Sequence, residues 1–321
     1  MFTLSKQRLK LALRLCAISC SNYSGEGLWG IDYINMTMTE QVTKVLSNGD
    51  PLLADVYRRP DADGVPVLLI HGWGGSGRYW QPTIERLQSR YELIVPDLPG
   101  VGRSMPVRQA RSIFDQVQAL EELLQWLNIS RTHIVGHSMG SAMAILLAAK
   151  RPELVERLVL TGISLFRDDA ERAQFNTFAE IASMVMRLRS PLFAELSLLT
   201  RLFAQRFFYT VPDDSELLRD GFLDYLNMDY DTAVACMRSS TDPRINEAAA
   251  SLQMPTLLLI ARNDQIMPVA NVPATVATIP DCELCWIEKS GHLPMVEHPD
   301  EFAQMVDSFL SKAVEIAHVD S

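Results

Sequence analysis

From residue 42 onward, short apolar runs alternate with longer stretches of helical period. Apolar runs at residues 42–46 and 52–57 flank Ser47-Asn48-Gly49-Asp50. The Asn-Gly pair suits the positive φ angles of a tight hairpin turn, so the chain is expected to open on two antiparallel strands. Beyond Asp61-Ala62-Asp63-Gly64, residues 65–70 are almost wholly apolar, as a strand covered on both faces would be. Strand-like runs recur at 91–95, 132–135, 155–160, 256–260 and 284–288, separated by helical patterns. That alternation implies a parallel sheet with crossover helices. Ile113, Val117, Leu120, Leu124 and Leu127 form one stripe of an amphipathic helix over 112–127. The residues after Ser138 are Ala-rich and apolar on most sides, predicting a buried helix to about Lys150, which Arg151-Pro152 then ends. A last helix is predicted from Glu301 to about Ile316.

The alternation fails over residues 163–250. No strand pattern is present there, only helical spacings such as Phe178, Ile181, Val185 and Leu188 in a stretch crowded with Phe, Met and Leu. The stretch reads as an inserted helical cap. Its apolar side chains exceed what a helix pair needs to cover itself, so some are expected to line a cavity between cap and sheet, the rest packing the cap on the core. The resulting layout is an N-terminal extension at 1–41, a core formed by 42–162 and 251–318, and the cap at 163–250.

Composition narrows the partners. A chain of 321 residues with 48% apolar side chains can bury a full core. Its net charge of −10, from 29 basic and 39 acidic residues, argues against nucleic acid, whose phosphates call for clustered Lys and Arg. Five cysteines, an odd number, do not suggest a disulfide framework. Cys282 and Cys285 lie three apart on a predicted strand, facing opposite sides at roughly 10 Å, too far for a bridge. Reduced thiols favour a cytoplasmic protein. The first 25 residues carry Lys6, Arg8, Lys10 and Arg14 and no acid before Glu26. At helical spacing Lys6, Lys10 and Arg14 share one face and Leu4, Leu11, Leu15 and Ile18 another. This basic amphipathic segment at 4–18 is suited to peripheral contact with an anionic membrane, although a plain packed or frayed helix has the same pattern. Arg14 interrupts the apolar region and argues against a secretory signal. No stretch is long and apolar enough to span a bilayer.

The candidate chemistry centres on Thr132-His-Ile-Val-Gly-His-Ser-Met-Gly-Ser141. A strand followed at once by a helix forces a sharp turn, and Gly136 and Gly140 remove side chains that would collide there. Ser138 is thereby raised at the strand's C-terminal end, beside a helix N-terminus that favours developing negative charge. A serine hydroxyl needs a base. Of six histidines, His292 follows the last strand in a loop at the sheet edge where Ser138 emerges. An acid to orient it is Asp264, just past another strand at that edge, with Asp168 a rival at the start of the cap. The order Ser138, Asp264, His292 matches one hydrolase architecture. The Gly-rich stretch His71-Gly72-Trp73-Gly74-Gly75-Ser76-Gly77 lets backbone approach a ligand, and the amides of Trp73 and Met139 are candidate oxyanion donors. His71, Gly72, His137 and Met267 are candidate pocket residues. No lysine lies in that Gly-rich loop and no Gly-x-x-x-x-Gly-Lys-Ser/Thr occurs, which argues against nucleotide binding.

These pieces together resemble the α/β-hydrolases with a single helical cap, a group of esterases, lipases, epoxide hydrolases and carbon–carbon bond hydrolases. The matching segments are HGWGGSG at 71–77, PDLPGVGRS at 96–104, GHSMG at 136–140, ARNDQIMP at 261–268 and SGHLPMVEHP at 290–299. The resemblance implies an eight-stranded, mostly parallel sheet with helices on both faces and the cap inserted after the sixth strand. It also implies a triad of Ser138, Asp264 and His292, an oxyanion hole at Trp73 and Met139, and no cofactor or metal. The expected activity is hydrolysis of a carboxylic ester or thioester, in a small-molecule substrate with an apolar acyl or alcohol portion. Carbon–carbon bond hydrolysis, cofactor-free perhydrolysis and a hydrolase-fold ligand receptor with little turnover are the alternatives. Serine at 138, where epoxide hydrolases and haloalkane dehalogenases of the group carry aspartate, argues against those two chemistries.

Overall fold

A computed structural model of the chain describes residues 38–59 and 64–312. The basic segment at 4–18 and residues 60–63 lie outside the described residues. Eight strands form one sheet: β1 (Met38–Val45), β2 (Pro51–Arg58), β3 (Val67–Ile70), β4 (Leu93–Asp97), β5 (Thr132–His137), β6 (Val155–Thr161), β7 (Thr256–Ala261) and β8 (Cys282–Ile287). Their spatial order is β1-β2-β4-β3-β5-β6-β7-β8. β2 pairs antiparallel with both β1 and β4, and every other pair is parallel. The fold is therefore α/β, with a mostly parallel eight-stranded sheet. At the hairpin, Leu46 N–H donates to Asp50 O at 2.9 Å and Gly49 adopts φ 86°.

In chain order the helices are α1 (Gln81–Leu87), α2 (Ile113–Trp126), α3 (Met139–Lys150), α4 (Asp169–Met186), α5 (Ser197–Ala204), α6 (Ser215–Asn227), α7 (Tyr230–Ser239), α8 (Arg244–Ala250), α9 (Val272–Thr278), α10 (Pro294–Glu297) and α11 (Pro299–Leu310). The two-residue period of the strands sorts the core. Leu68, Ile70, Ile134 and Leu258 pack against Leu120 of α2 and Ile145 of α3. Val67, Leu69, Val135 and Leu257 pack on the other face against Ile84 of α1 and Phe302 of α11. Cys282 joins the first cluster and Cys285 the second, so they face opposite sides of β8. Both are free thiols, as is Cys236.

Several boundaries differ from the sequence reading: β1 starts at Met38 rather than residue 42, β3 at Val67 rather than 65, and β8 at Cys282 rather than 284. β4 starts at Leu93 rather than residue 91, because Tyr91 N–H still donates to Leu87 O at 3.0 Å and so finishes the turn after α1. α2 starts at Ile113, because Ser112 is its cap: Ser112 Oγ accepts from Asp115 N–H and the Asp115 carboxylate accepts from Ser112 N–H. α11 starts at Pro299, where a fixed φ and a first turn holding Asp300 and Glu301 suit a helix N-terminus. It ends at Leu310, short of the expected residue 316.

Between β6 and β7 the chain forms α4 to α8 and no strand. Of the apolar side chains in this stretch, Met228, Ala233 and Cys236 line a cavity against the sheet side. Phe178, Ile181, Val185 and Leu188 do not line a cavity: they are 62%, 59%, 61% and 77% exposed. α4 turns inward a face made of Ala179, Ser183 and Met186, which packs with Ala233 and Met237 of α7. Small residues permit that close approach, and the large apolar stripe is left outside. Among the described residues no helix is long and apolar enough to cross a membrane.

Candidate active site

β5 ends at His137 and α3 begins at Met139, which leaves Ser138 alone to turn the chain. It does so at φ 54° and ψ −120°, a conformation that costs a non-glycine residue about 1–3 kcal/mol and survives only where its surroundings enforce it. Ser138 N–H donates to Thr161 O at 2.8 Å. Buried Ser141 ties the turn further, its hydroxyl donating to Gly136 O at 2.7 Å and accepting from Thr161 N–H at 3.1 Å. α3 sits so close to the end of β3 that a Cβ on Gly140 would lie 2.6 Å from His71 O, and nearer still to Ile70 O. At Gly136 a Cβ would meet Gly140 O at 2.7 Å. The Ser138 hydroxyl makes no hydrogen bond within the described residues, not even as a cap for α3.

His292 leaves the loop after β8, and its Nδ1 lies 2.7 Å from Asp264 Oδ2. Both side chains are almost wholly buried. Asp264, three residues past β7, accepts Ile266 N–H at 2.7 Å and Met267 N–H at 3.0 Å through its other oxygen. Burial raises the Asp264 pKa, but the charge and hydrogen bond of His292, with those two amides, outweigh it and hold the carboxyl below its ordinary value. An anionic Asp264 makes Nδ1 of His292 the donor and leaves Nε2 with a free lone pair. Two close approaches locate the ring. A Cβ on Gly162, just past β6, would lie 3.1 Å from His292 Cε1, and one on Gly72 would lie 3.0 Å from Ser138 Cβ. The imidazole and the Gly-rich loop thus flank the turn at Ser138. Asp168, the rival acid, is the N-cap of α4, accepting Glu171 N–H at 2.9 Å.

The backbone N–H groups of Trp73 and Met139 donate to no acceptor among the described residues. The Trp73 indole is fixed, its Nε1–H donating to Ala233 O at 3.0 Å. A cavity of about 20 Å³ opens beside these amides, lined by His71, Gly72, Trp73 and Met139 on the sheet side and by Met228, Ala233 and Cys236 on the other. Its walls are apolar. His71 is held neutral by burial, with Nδ1–H donating to Gly72 O and Nε2 accepting Leu98 N–H, both at 2.9 Å. Met267 lies apart, in a shallow recess with Asp264 and Val272. His137 lines neither. Among the described residues no three His, Cys, Asp or Glu side chains converge as a metal site.

What His137 does was not foreseen from the sequence. Its Nε2–H donates to His292 O at 2.8 Å and its Nδ1 accepts from the Tyr79 hydroxyl at 2.9 Å. The same hydroxyl accepts Gly72 N–H. Burial, then the neighbouring His292, push the His137 imidazole down to about 3, so it is neutral and can serve as both donor and acceptor. One chain of hydrogen bonds thus links the Gly-rich loop to the His292 backbone. Glu297 supplies a second brace, accepting Gly291 N–H at 2.6 Å with one oxygen and Tyr209 N–H and Thr210 N–H at 2.9 Å with the other. A half-buried carboxylate or phenol beside a candidate catalytic motif carries no periodic signal, although Glu297 lies only five residues past His292.

Residues 65–299 match the family model described as "alpha/beta hydrolase fold". The pyrrolizixenacetamide deacetylase of Xenorhabdus hominickii is 28% identical over 255 residues, spanning 78% of this chain and 92% of its own. A putative carbamate hydrolase, RutD, of Azorhizobium caulinodans is 26% identical over 260 residues, spanning 80% and 95%. Among solved structures, a thermophilic esterase from Thermogutta terrifontis superposes with a TM-score of 0.69 at 24% identity, covering 85% of this chain and 98% of that one.

Proposed function

Since the chain belongs to the alpha/beta hydrolase fold family, we propose that it is a serine hydrolase that cleaves a carboxylic ester or thioester with an apolar portion through an acyl-enzyme. Ser138 Oγ attacks the carbonyl carbon while His292 Nε2 takes its proton, and Asp264 holds the imidazole in the tautomer that can accept it. The negative charge that develops on the carbonyl oxygen is met by the Trp73 and Met139 amides. His292 then delivers the proton to the leaving oxygen or sulfur. A water, deprotonated by the same nitrogen, releases the acid and restores Ser138.

The observation that carries this reading is the 2.7 Å pair of His292 and Asp264 at the sheet edge where a strained serine turns into a helix. The apolar cavity beside the candidate oxyanion amides supports an apolar substrate portion. Relatives named for deacetylation and for carbamate hydrolysis are in keeping with acyl transfer at this site. The test is Ser138→Ala. Covalent labelling by a fluorophosphonate should vanish and p-nitrophenyl acetate turnover should fall on the order of 10⁴- to 10⁶-fold. Persistence of both would dispose of the proposal.

A further inference from the structure

We propose that the outward face of the helical insertion, from Phe178 to Leu202, docks on a bilayer of anionic lipid. Of the fifteen exposed large apolar side chains among the described residues, twelve fall between Phe178 and Tyr209. Together they present on the order of 1,000 Å², beyond the few hundred that a soluble surface ordinarily shows as one patch. Three successive elements repeat one arrangement. α4 buries Ala179 and Ser183 and exposes Ile181 and Val185. The short 3₁₀ turn Pro191–Glu195 buries Ala194 and exposes Leu192. α5 buries Thr200 and Ala204 and exposes Leu198 and Leu202. Met186 apart, which α4 also buries, the small residues face the protein and the large apolar ones face out, the reverse of a helix whose apolar stripe fills a core.

Charge selects the occupant. Within the same span Glu180 and Glu195 are held by Arg238 at 2.8 Å and Arg219 at 2.7 Å, which neutralises the two acids of the face. Arg187, Arg201 and Arg206 are exposed. No carboxylate among the described residues pairs with them more closely than Asp213, 4.0 Å from Arg201. An apolar face rimmed by cations, on a chain of net charge −10, is attracted to anionic headgroups in the orientation that presents this face. A second copy of the chain would instead set these arginines against their own counterparts. The face also ends at the candidate site: Phe207 O accepts His292 N–H at 2.6 Å. Docking there would bring the His292 loop to the lipid surface, although the attachment itself does not depend on the chemistry assigned to Ser138.

The test uses the full chain in flotation with vesicles of phosphatidylglycerol and phosphatidylcholine in equal parts, and with phosphatidylcholine alone. The parent should float with the anionic vesicles. A triple change of exposed residues, Ile181→Ser, Leu188→Ser and Leu192→Ser, should lower partitioning at least about ten-fold with unchanged circular dichroism and Tm. Arg187→Gln, Arg201→Gln and Arg206→Gln together should lower it about 100-fold on anionic vesicles. Failure of the parent to float would overturn the proposal, as would undiminished binding of the serine variant, which would assign attachment to another surface such as residues 4–18. A solution dimer that the serine variant dissociates would give the face to a second copy instead.

Discussion

The hydrogen-bonded chain through Tyr79 offers a direct test of how the site is held. Tyr79→Phe keeps the ring, which packs edge-on against His137 at 5.4 Å between centroids, and deletes one oxygen. Two buried groups lose their partner at once, the Gly72 N–H and the Nδ1 of His137. Each stranded group costs about 1–3 kcal/mol, and because they share one partner the combined loss is expected at about 2–4 kcal/mol. Activity should suffer separately. Gly72 precedes Trp73, whose amide is assigned to the oxyanion, and the far end of the chain of bonds holds the His292 carbonyl. A shift approaching 1 Å in either is worth up to about 100-fold in rate. The expected result is a kcat reduced about 10- to 100-fold on p-nitrophenyl acetate with KM changed less than about three-fold, since the loss falls on the transition state. Assays must run well below the variant's own Tm, so that unfolding does not pass for misplacement. A Tm that falls while kcat stays within about two-fold of the parent would make Tyr79 a structural residue only and refute its positioning role.

Other perturbations follow from the same geometry. Asp264→Asn should keep the fold but lower kcat about 10³- to 10⁴-fold, because an amide does not enforce the Nδ1–H tautomer of His292; a stopped assay at high enzyme concentration measures it. Gly140→Ala places a methyl against His71 O and Ile70 O, both backbone atoms that cannot step aside, so a loss of at least about 3 kcal/mol is expected in urea unfolding. Stability should also fall with acid. Burial holds His137 down at about 3 and His133 at about 4, against 6.5 when unfolded. Below pH 6.5 the unfolded chain therefore binds protons that the folded one refuses, and stability present above that pH is lost as pH drops. Between pH 7 and pH 5 each histidine should contribute a loss of about 2 kcal/mol. Tm measured at the two values checks it, and His137→Asn should flatten the slope.

The strands were legible because burial on both faces leaves an unbroken apolar run, as at Val67–Ile70. The turn at Ser138 was legible for a different reason. Gly136 and Gly140 sit where backbone atoms come within 2.7 Å of any Cβ, so the sequence must leave those positions bare. His292 and Asp264 could be brought together on paper because both follow parallel strands, and parallel strands deliver their loops to one edge. The braces were not legible. Tyr79, Ser141 and Glu297 act on partners 58, 20 and 88 residues away in the chain, and a single polar side chain with a distant partner leaves no period to read.

The stripe on α4 faces outward for a physical reason that also bears on its role. Periodicity at Phe178, Ile181, Val185 and Leu188 establishes that a helix has an apolar side, but the direction of that side depends on which face meets the nearest partner. Here Ala179 and Ser183 sit on the opposite side, and small side chains let α4 lie close against α7. A core-facing stripe of large residues would hold the two helices farther apart and bury more area, so hydrophobicity alone favours the inverted arrangement. The fold nonetheless exposes four large side chains on α4 and repeats the choice at Leu192 and at Leu198, a loss that the proposed docking on a bilayer would offset. A helix stripe written for a bilayer and one written for a core look alike in sequence; the composition of the opposite face, small against polar, distinguishes them.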